Sequence, residues 1–288
     1  MKHPDYNSAS ALKTFMEEKG MAMQKKFGQN FLLNETARRR LIDALDIGEN
    51  TNVWEVGPGL GSMTSEILSR GSKLTAFEID HGFAACVRDF FSSQIEAKKF
   101  DLVEGDVLKT WRKRAEEEKE AMPTRFFGNL PYNVAATIIA DTISEGVRFE
   151  KAVFTVQKEV AERMCAECNT DNYSSFSVLC QWAYKVEPLL DLAGGNFWPK
   201  PNVASRAVIM TKRDDFPRCK DSDTFMKMQR ALFSSRRKTV KNNLTAFLSN
   251  AEKASLALEK AGIDEKKRAE QLSIEELLRL SDCVLEVR

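Results

Sequence analysis

The stretch Val53-Trp-Glu-Val-Gly-Pro-Gly-Leu-Gly-Ser-Met-Thr64 decides the fold. It reads as a strand over 52–56, a tight turn carrying Gly57, Gly59 and Gly61, and a helix from Ser62 onward. Glycines at such a junction let the backbone pass beneath a ligand and supply dihedrals that other residues resist. The helix start leaves free amides facing the same ligand. The spacing is G-x-G-x-G, with Ser62 where the dinucleotide fingerprint needs a glycine, so a pyrophosphate cradle is disfavoured.

Outward from the turn, Lys73-Leu-Thr-Ala-Phe-Glu-Ile-Asp80 predicts a second strand ending in acids. Glu78 lies about 20 residues past the turn, the place where a βαβ nucleoside site accepts from ribose hydroxyls. A carboxylate suits vicinal hydroxyls because it offers two acceptor oxygens. Phe100 to Asp106 predicts a third strand, with Asp106 placed to accept from an adenine amine. Glu55 before the turn and Pro58 inside it fit an S-adenosylmethionine loop of the class I methyltransferase type.

Arg125-Phe-Phe-Gly-Asn-Leu-Pro-Tyr132 is the second deciding element. Its phenylalanines close a fourth strand, and Asn129-Leu-Pro-Tyr132 falls at the carboxyl end, where open α/β sheets bind ligands. An adenine amine is a poor nucleophile because its lone pair is delocalised into the ring. The Asn129 side-chain oxygen and a carbonyl near Leu130 can each accept one amine hydrogen and aim that lone pair. Pro131 fixes its own φ and lacks an amide hydrogen, which holds the carbonyl in place. Tyr132 can stack on the base.

The rest of the chain bounds the class. Its 288 residues, 43% hydrophobic and 30% charged, suffice for an α/β core with a smaller second domain. A net charge of +1 means that any basic surface is local. No run of about 18 apolar residues predicts a membrane span. The N-terminus is interrupted by Lys13, Glu17, Glu18 and Lys19, unlike a signal peptide. The cysteines at 86, 165, 168, 180, 219 and 283 are expected as reduced thiols in a cytoplasm. Cys165 and Cys168 lack a second pair, and the histidines are His3 and His81 alone, so no metal is expected.

Residues 1–24 predict a polar lead and a short helix with Leu12, Phe15 and Met16 on one side. Phe27, Phe31 and Leu32 can pack, while Gln29 and Asn30 offer amides. Glu35 to Leu45 predicts a helix whose Arg38, Arg39 and Arg40 form a basic face open to phosphates. Arg112 to Glu120 reads as a solvated helix without function. Strands are expected over 151–156, 186–192 and 206–211, the last two as an antiparallel pair, with helices over 157–167 and 173–184. Between the last strands, Pro199 and Pro201 would hold a loop extended and present Phe197 to a flipped base; Phe197 as a core plug is the competing reading. After a linker over 214–223 the chain reads as helical. From Lys212 to Lys241 ten Lys or Arg face four Asp, a local +6 that predicts a phosphate-contacting face around Arg236, Arg237, Lys238 and Lys241.

Lys26-Phe-Gly-Gln-Asn-Phe-Leu32, the Glu55–Thr64 turn, Gly105-Asp106 and Asn129-Leu-Pro-Tyr132 stand in a telling order. Val156–Met164, Phe197–Ser205 and Phe233–Thr239 follow them. Over roughly residues 10 to 285 the chain resembles the KsgA/RsmA family of small-subunit rRNA adenine dimethyltransferases. The resemblance implies an α/β class I, Rossmann-like methyltransferase fold: a seven-stranded, mostly parallel sheet with helices on both faces, plus a small all-helical C-terminal domain. The expected divisions are an N-terminal extension over 1–24, a methyltransferase domain over 25–213 and an rRNA-binding domain over 214–288. It implies S-adenosylmethionine as cofactor, S-adenosylhomocysteine as product, no metal, and cofactor contacts from Asn30, Leu32, Glu55, Gly57, Gly59, Glu78, Ile79, Asp106, Val107 and Asn129. Asn129, Leu130, Pro131 and Tyr132 would hold the target amine, with Phe197 stacking on the base. Many relatives carry His where Asn30 stands.

The implied reaction is dimethylation of two adjacent adenines in the 3′-terminal hairpin loop of small-subunit rRNA, during subunit assembly, by a cytoplasmic monomer. Two rivals share the cofactor motifs: a large-subunit rRNA dimethyltransferase conferring antibiotic resistance, and a non-catalytic RNA-binding assembly factor. Arg236-Arg-Lys-Thr239 and the longer helical tail favour the small-subunit branch, and intact Glu78 and Asn129-Leu-Pro-Tyr132 speak for catalysis.

Overall fold

The computed structural model describes residues 2–24, 28–130 and 132–288, with main chain alone at Tyr132 and Asn133. Lys26, Phe27 and Pro131, which the motifs above include, lie outside the described residues, as does Lys25.

In chain order the elements begin with α1 (Ala9–Glu18), β1 (Phe31–Leu32), α2 (Glu35–Leu45), β2 (Asn52–Val56), α3 (Ser62–Ser69) and β3 (Lys73–Glu78). Then come α4 (His81–Phe90), α5 (Ser92–Glu96), β4 (Phe100–Glu104), α6 (Val107–Glu117), β5 (Arg125–Asn129), α7 (Tyr132–Ser144) and β6 (Lys151–Gln157). The remainder is α8 (Lys158–Met164), α9 (Ser175–Ala183), β7 (Tyr184–Leu192), β8 (Phe197–Trp198), β9 (Ser205–Lys212), α10 (Ser222–Leu232), α11 (Val240–Leu248), α12 (Ala251–Ala261) and α13 (Ile274–Val287).

Seven of the described strands form one sheet in the order β4-β3-β2-β5-β6-β9-β7. The pairings β4/β3, β3/β2, β2/β5 and β5/β6 are parallel, and β9 runs antiparallel to β6 from Lys151↔Thr211 to Gln157↔Ser205. Strands covered on both faces read as unbroken apolar runs, and β2, β5 and β6 are buried almost end to end. At the sheet edge β7 instead exposes Lys185, Glu187, Pro188 and Asp191, and buries only its ends, Tyr184 and Leu192. A proline inside a strand belongs at such an edge, where its missing amide hydrogen breaks no ladder. The chain lays β3 and β4 on one side of β2, then returns to add β5 and β6 on the other. That reversal makes the β2/β5 junction a topological switch point, where a crevice opens at the strands' carboxyl ends. A two-stranded ladder of β1 with β8 pairs Phe31 with Trp198 and Leu32 with Phe197.

By internal contacts the chain divides into two compact units. The first comprises Met1–Thr142, Val147–Ala161 and Glu187–Thr211; the second comprises Ile143–Gly146, Glu162–Val186 and Lys212–Arg288. A single cut near residue 213 thus leaves out Glu162–Val186, which packs with the helical unit. The second unit is built around Trp182, whose ring lies 4.8 Å from Phe225 and 4.5 Å from Phe216. The Trp182 indole donates to the Pro217 carbonyl at 2.6 Å, so its one polar atom is satisfied inside the core.

The charged run after Arg112 is more than a solvated helix. On α6, Trp111 is buried, and three residues on Arg114 bridges Asp101 and Glu118, each at 2.7 Å. Glu118 also accepts from Trp54 Nε1 at 2.6 Å and Thr75 Oγ1 at 2.8 Å. Residues three apart share a helix face, so Trp111 and Arg114 turn together towards the sheet while their neighbours take the water.

Candidate active site

A cleft opens at the carboxyl ends of β2, β3, β4 and β5. Its walls take one or more residues from each strand end: Gly57 and Gly59 after β2, Glu78 and Ile79 at β3, Asp106 and Val107 after β4, and Asn129 at β5. Asn30, Phe31 and Leu32 close it from the segment that holds β1. Nine of the ten expected cofactor contacts therefore meet in one place.

The glycine turn is geometric necessity. Gly57, Gly59 and Gly61 have φ of 72°, 57° and 85°, in the left-handed region. A Cβ on Gly61 would stand 2.6 Å from the Phe91 ring. The Gly59 amide donates to Glu78 Oε2 at 3.0 Å, and the Asp80 amide donates to Glu78 Oε1 at 2.9 Å. Glu78 is thereby aimed at the turn. Burial pushes its carboxyl up to about 7 despite these two amides. No side chain caps α3, whose first turn opens beside the cleft lining at Ser62 and Met63.

Glu55 departs from expectation. It is not among the residues lining the cleft; it is 1% exposed beneath the turn and accepts from Thr64 Oγ1 at 2.7 Å. Burial pushes its carboxyl up to about 8, and the neighbouring Glu78 adds to the rise. Its place is to tie β2 to α3 as a neutral acid.

Across the cleft, Asp106 caps α6 by accepting from Leu108 N at 3.0 Å with Oδ1, which leaves Oδ2 for another donor. Ile79, 37% exposed, offers an apolar surface unusual for its type. Asn129 Nδ2 donates to the Asn30 carbonyl at 2.9 Å. The donor end of that amide is thus engaged and its Oδ1 acceptor end remains. The Leu130 amide donates to the Thr155 carbonyl at 3.0 Å, anchoring the main chain just beyond β5 on β6. Leu130 itself is buried and packs against Gly128, where a Cβ would collide with the leucine side chain. Pro131 and the Tyr132 side chain lie outside the described residues.

Two residues expected to contact RNA are buried. Phe197 is 5% exposed and belongs to the apolar core, paired through β8 with Leu32, so the core plug describes it and rigid presentation to a base does not. Arg38 is 4% exposed: its Nη1 donates to the carbonyls of Leu32 and Leu33, both at 2.8 Å, and its Nη2 to Asn7 Oδ1 at 2.7 Å. Consecutive helical residues cannot share a face. Arg38 falls four before Ile42 and seven before Leu45, on the buried side of α2. Arg39 is exposed and paired with Glu35 at 2.5 Å.

The basic run beyond residue 212 is partly neutralised. Arg213 pairs with Asp215, Lys227 with Asp223, Lys220 with Glu286, and Lys241 with Glu265. Arg236, Arg237 and Lys238 are exposed and, among the described residues, form no ion pair. Arg236 donates to the Asp171 carbonyl at 2.7 Å, which fixes the guanidinium without cancelling its charge. Among the described residues no group of His, Cys, Asp or Glu is arranged to hold a metal ion.

The sequence does not announce the apolar walls from Met63, Phe77, Phe83, Phe127 and Val134. An apolar residue in a strand or helix reads as core, and nothing local says that one of its faces meets a cavity. Nor does it single out Asp80, whose only mark is its place two residues after Glu78.

The family model described as ribosomal RNA adenine dimethylase matches residues 20–285. "Ribosomal RNA small subunit methyltransferase A" of Treponema denticola is 45% identical over 284 residues, covering 98% of this chain and 96% of that one. The protein of the same name from Borreliella afzelii is 40% identical and covers 97% of this chain and 95% of its own. Among solved structures, a dimethyladenosine transferase from Plasmodium falciparum superposes with a TM-score of 0.71 at 25% identity, covering 86% of this chain and 94% of that chain. The 23S rRNA methyltransferase ErmE shares the fold at a TM-score of 0.63 and 22% identity, covering 88% of this chain and 98% of that chain.

Proposed function

This chain belongs to the ribosomal RNA adenine dimethylase family, and from that premise we propose that it dimethylates the 6-amino groups of two adjacent adenines in the 3′-terminal hairpin loop of small-subunit rRNA. S-adenosylmethionine would supply every methyl group, two for each amine. The observation that carries this reading is the pairing, in one cleft, of a ribose-type acceptor at the end of β3 with an amide acceptor at the end of β5.

Glu78 is assigned to the ribose hydroxyls, which need two acceptor oxygens. Asp106 Oδ2 is assigned to the adenine amine of the cofactor, with Ile79 and Val107 against the ring. The uncapped amides at the start of α3 suit the methionine carboxylate. Asn129 Oδ1 and the Leu130 carbonyl are assigned to the target amine. They accept its two hydrogens and turn its lone pair towards the methyl carbon. When bound there, S-adenosylmethionine would supply a methyl group activated by its sulfonium sulfur and would leave as the neutral thioether, while the amine would give up one proton to solvent. After one methylation the amine keeps a single hydrogen, so one of the two acceptors would hold it while a second S-adenosylmethionine supplies the other methyl group.

We assign the chemistry to residues 25–213 and RNA docking to 214–288, through Arg236, Arg237 and Lys238. No helix among the described residues is long and apolar enough to cross a membrane. We place the work in the cytoplasm, on the immature small ribosomal subunit, by a monomer. Light scattering checks the last point. The central test is methyl transfer from radiolabelled cofactor to immature small subunits and to naked large-subunit rRNA. Label is expected in the small-subunit terminal hairpin. Label confined to large-subunit rRNA supports the antibiotic-resistance alternative, and none on either supports a non-catalytic assembly factor.

A further inference from the structure

Asp80 is 6% exposed and makes an unusual number of bonds for a residue outside the cleft lining. Its Oδ1 accepts from the amides of Gly82 at 2.9 Å and Phe83 at 3.2 Å, which caps α4. Its Oδ2 accepts from Gln24 Nε2 at 2.9 Å and Gln29 Nε2 at 3.1 Å. Gln29 Oε1 in turn accepts from the Gln24 main-chain amide at 2.9 Å. The Asp80 main-chain amide donates to Glu78 Oε1. One residue thus joins the acceptor at the end of β3, the start of α4 and the segment that carries Gly28 to Leu32 along the cleft wall.

A helix cap alone would need only Oδ1, and Asn caps as well as Asp. What Asn cannot do is accept from two further amides, because its second atom is itself a donor. The need for a carboxylate therefore comes from the glutamines, not from the helix. We propose that Asp80 is the positioning residue of the cofactor cleft, clasping Gln24 and Gln29 so that the Gly28–Leu32 wall closes against Glu78. This rests on the cofactor reading given above. It also makes Gln24, in the N-terminal extension, a contributor to cofactor binding from outside the cleft lining.

The test exploits the direction of the bonds. Asp80→Asn keeps the cap and sets an amide against two amides. S-adenosylmethionine Kd, by calorimetry, is expected to rise about tenfold or more, the usual scale for losing charge-assisted hydrogen bonds. Turnover at saturating cofactor should change less than about threefold, since Asp80 touches no reacting atom. Gln29→Glu alone sets two carboxylates together and should weaken binding similarly. Combining Asp80→Asn with Gln29→Glu reverses the donor and acceptor of the clasp, and Gln24 can follow by turning its amide over. The double variant should restore Kd to within about threefold of the parent. Gln24→Ala leaves the cap untouched and should weaken binding in a chain that folds normally. Unchanged Kd in Asp80→Asn and Gln24→Ala, or no recovery in the double variant, overturns the proposal while parent binding stands. A parent chain without affinity for S-adenosylmethionine overturns the cofactor reading and this inference together.

Discussion

Asn129 has its donor end held by Asn30, so its acceptor end is pre-aimed before any amine arrives. Asn129→Ala should cut single-turnover methylation by roughly 100- to 1000-fold, the usual loss for one acceptor or donor acting in the transition state. RNA affinity by filter binding should be unchanged; methylation at the parent rate would remove Asn129 from the chemistry. Glu78 titrates at about 7 in the free protein because burial disfavours its charge. Ribose hydroxyls donate to the ionised form and favour it. Cofactor affinity should therefore tighten as pH rises through about 7 and level off above, with a slope approaching tenfold per pH unit below. Calorimetry between about pH 6 and 8.5 should show this in the parent and lose it in Glu78→Gln. Glu55, raised to about 8, works on stability. A carboxyl raised on folding contributes stability that is fully present below its unfolded value of 4.5 and lost as pH rises through about 8. Glu55→Gln should flatten that decline and raise stability by about 1–3 kcal/mol above pH 8, read by urea denaturation.

Among elements, the turn between β2 and α3 leaves little room for substitution. At Gly61 the φ of 85° already disfavours any L side chain, and a Cβ there meets the Phe91 ring at 2.6 Å. The segment between α10 and α11 is expected to behave differently. Replacing Arg236, Arg237 and Lys238 with Ala should leave folding and cofactor binding alone. It should flatten the salt dependence of RNA affinity by roughly 0.7 to 0.9 in log–log slope for each phosphate no longer neutralised. Lys241→Ala should change that slope less, because Glu265 already pairs with it. A full slope in the triple variant would move the RNA footprint to exposed Arg39 and Arg40 on α2.

For the molecule as a whole, a ligand that binds only the folded state stabilises it by mass action. S-adenosylmethionine at 100 times its Kd should add about 2.7 kcal/mol to unfolding, seen as a rise in melting temperature. Glu78→Ala should remove most of the rise at the same concentration. The triple basic variant should keep all of it, since its substitutions lie outside the cleft lining.

The sequence alone determined the sheet and the cleft, because both are written in local signals. The apolar run of 52–56, the three glycines and the start of α3 are contiguous; Glu78 and Asn129 each end a strand that its own pattern announces, and Asp106 follows the end of another by two residues. Once parallel strands align, their ends converge without further information. Only the tertiary structure decided the fate of residues whose neighbours are distant in the chain. Arg38 reads as one of three surface arginines, yet the carbonyls at 32 and 33 and the Asn7 side chain enclose it. Phe197 reads as presentable, yet β8 pairs with β1 and buries it; Glu55 reads as a ligand contact, yet α3 covers it. The local charge of the basic run falls because Glu265 and Glu286 fold back onto its lysines. Burial and ion pairing depend on what lands opposite a side chain, and no local pattern carries that.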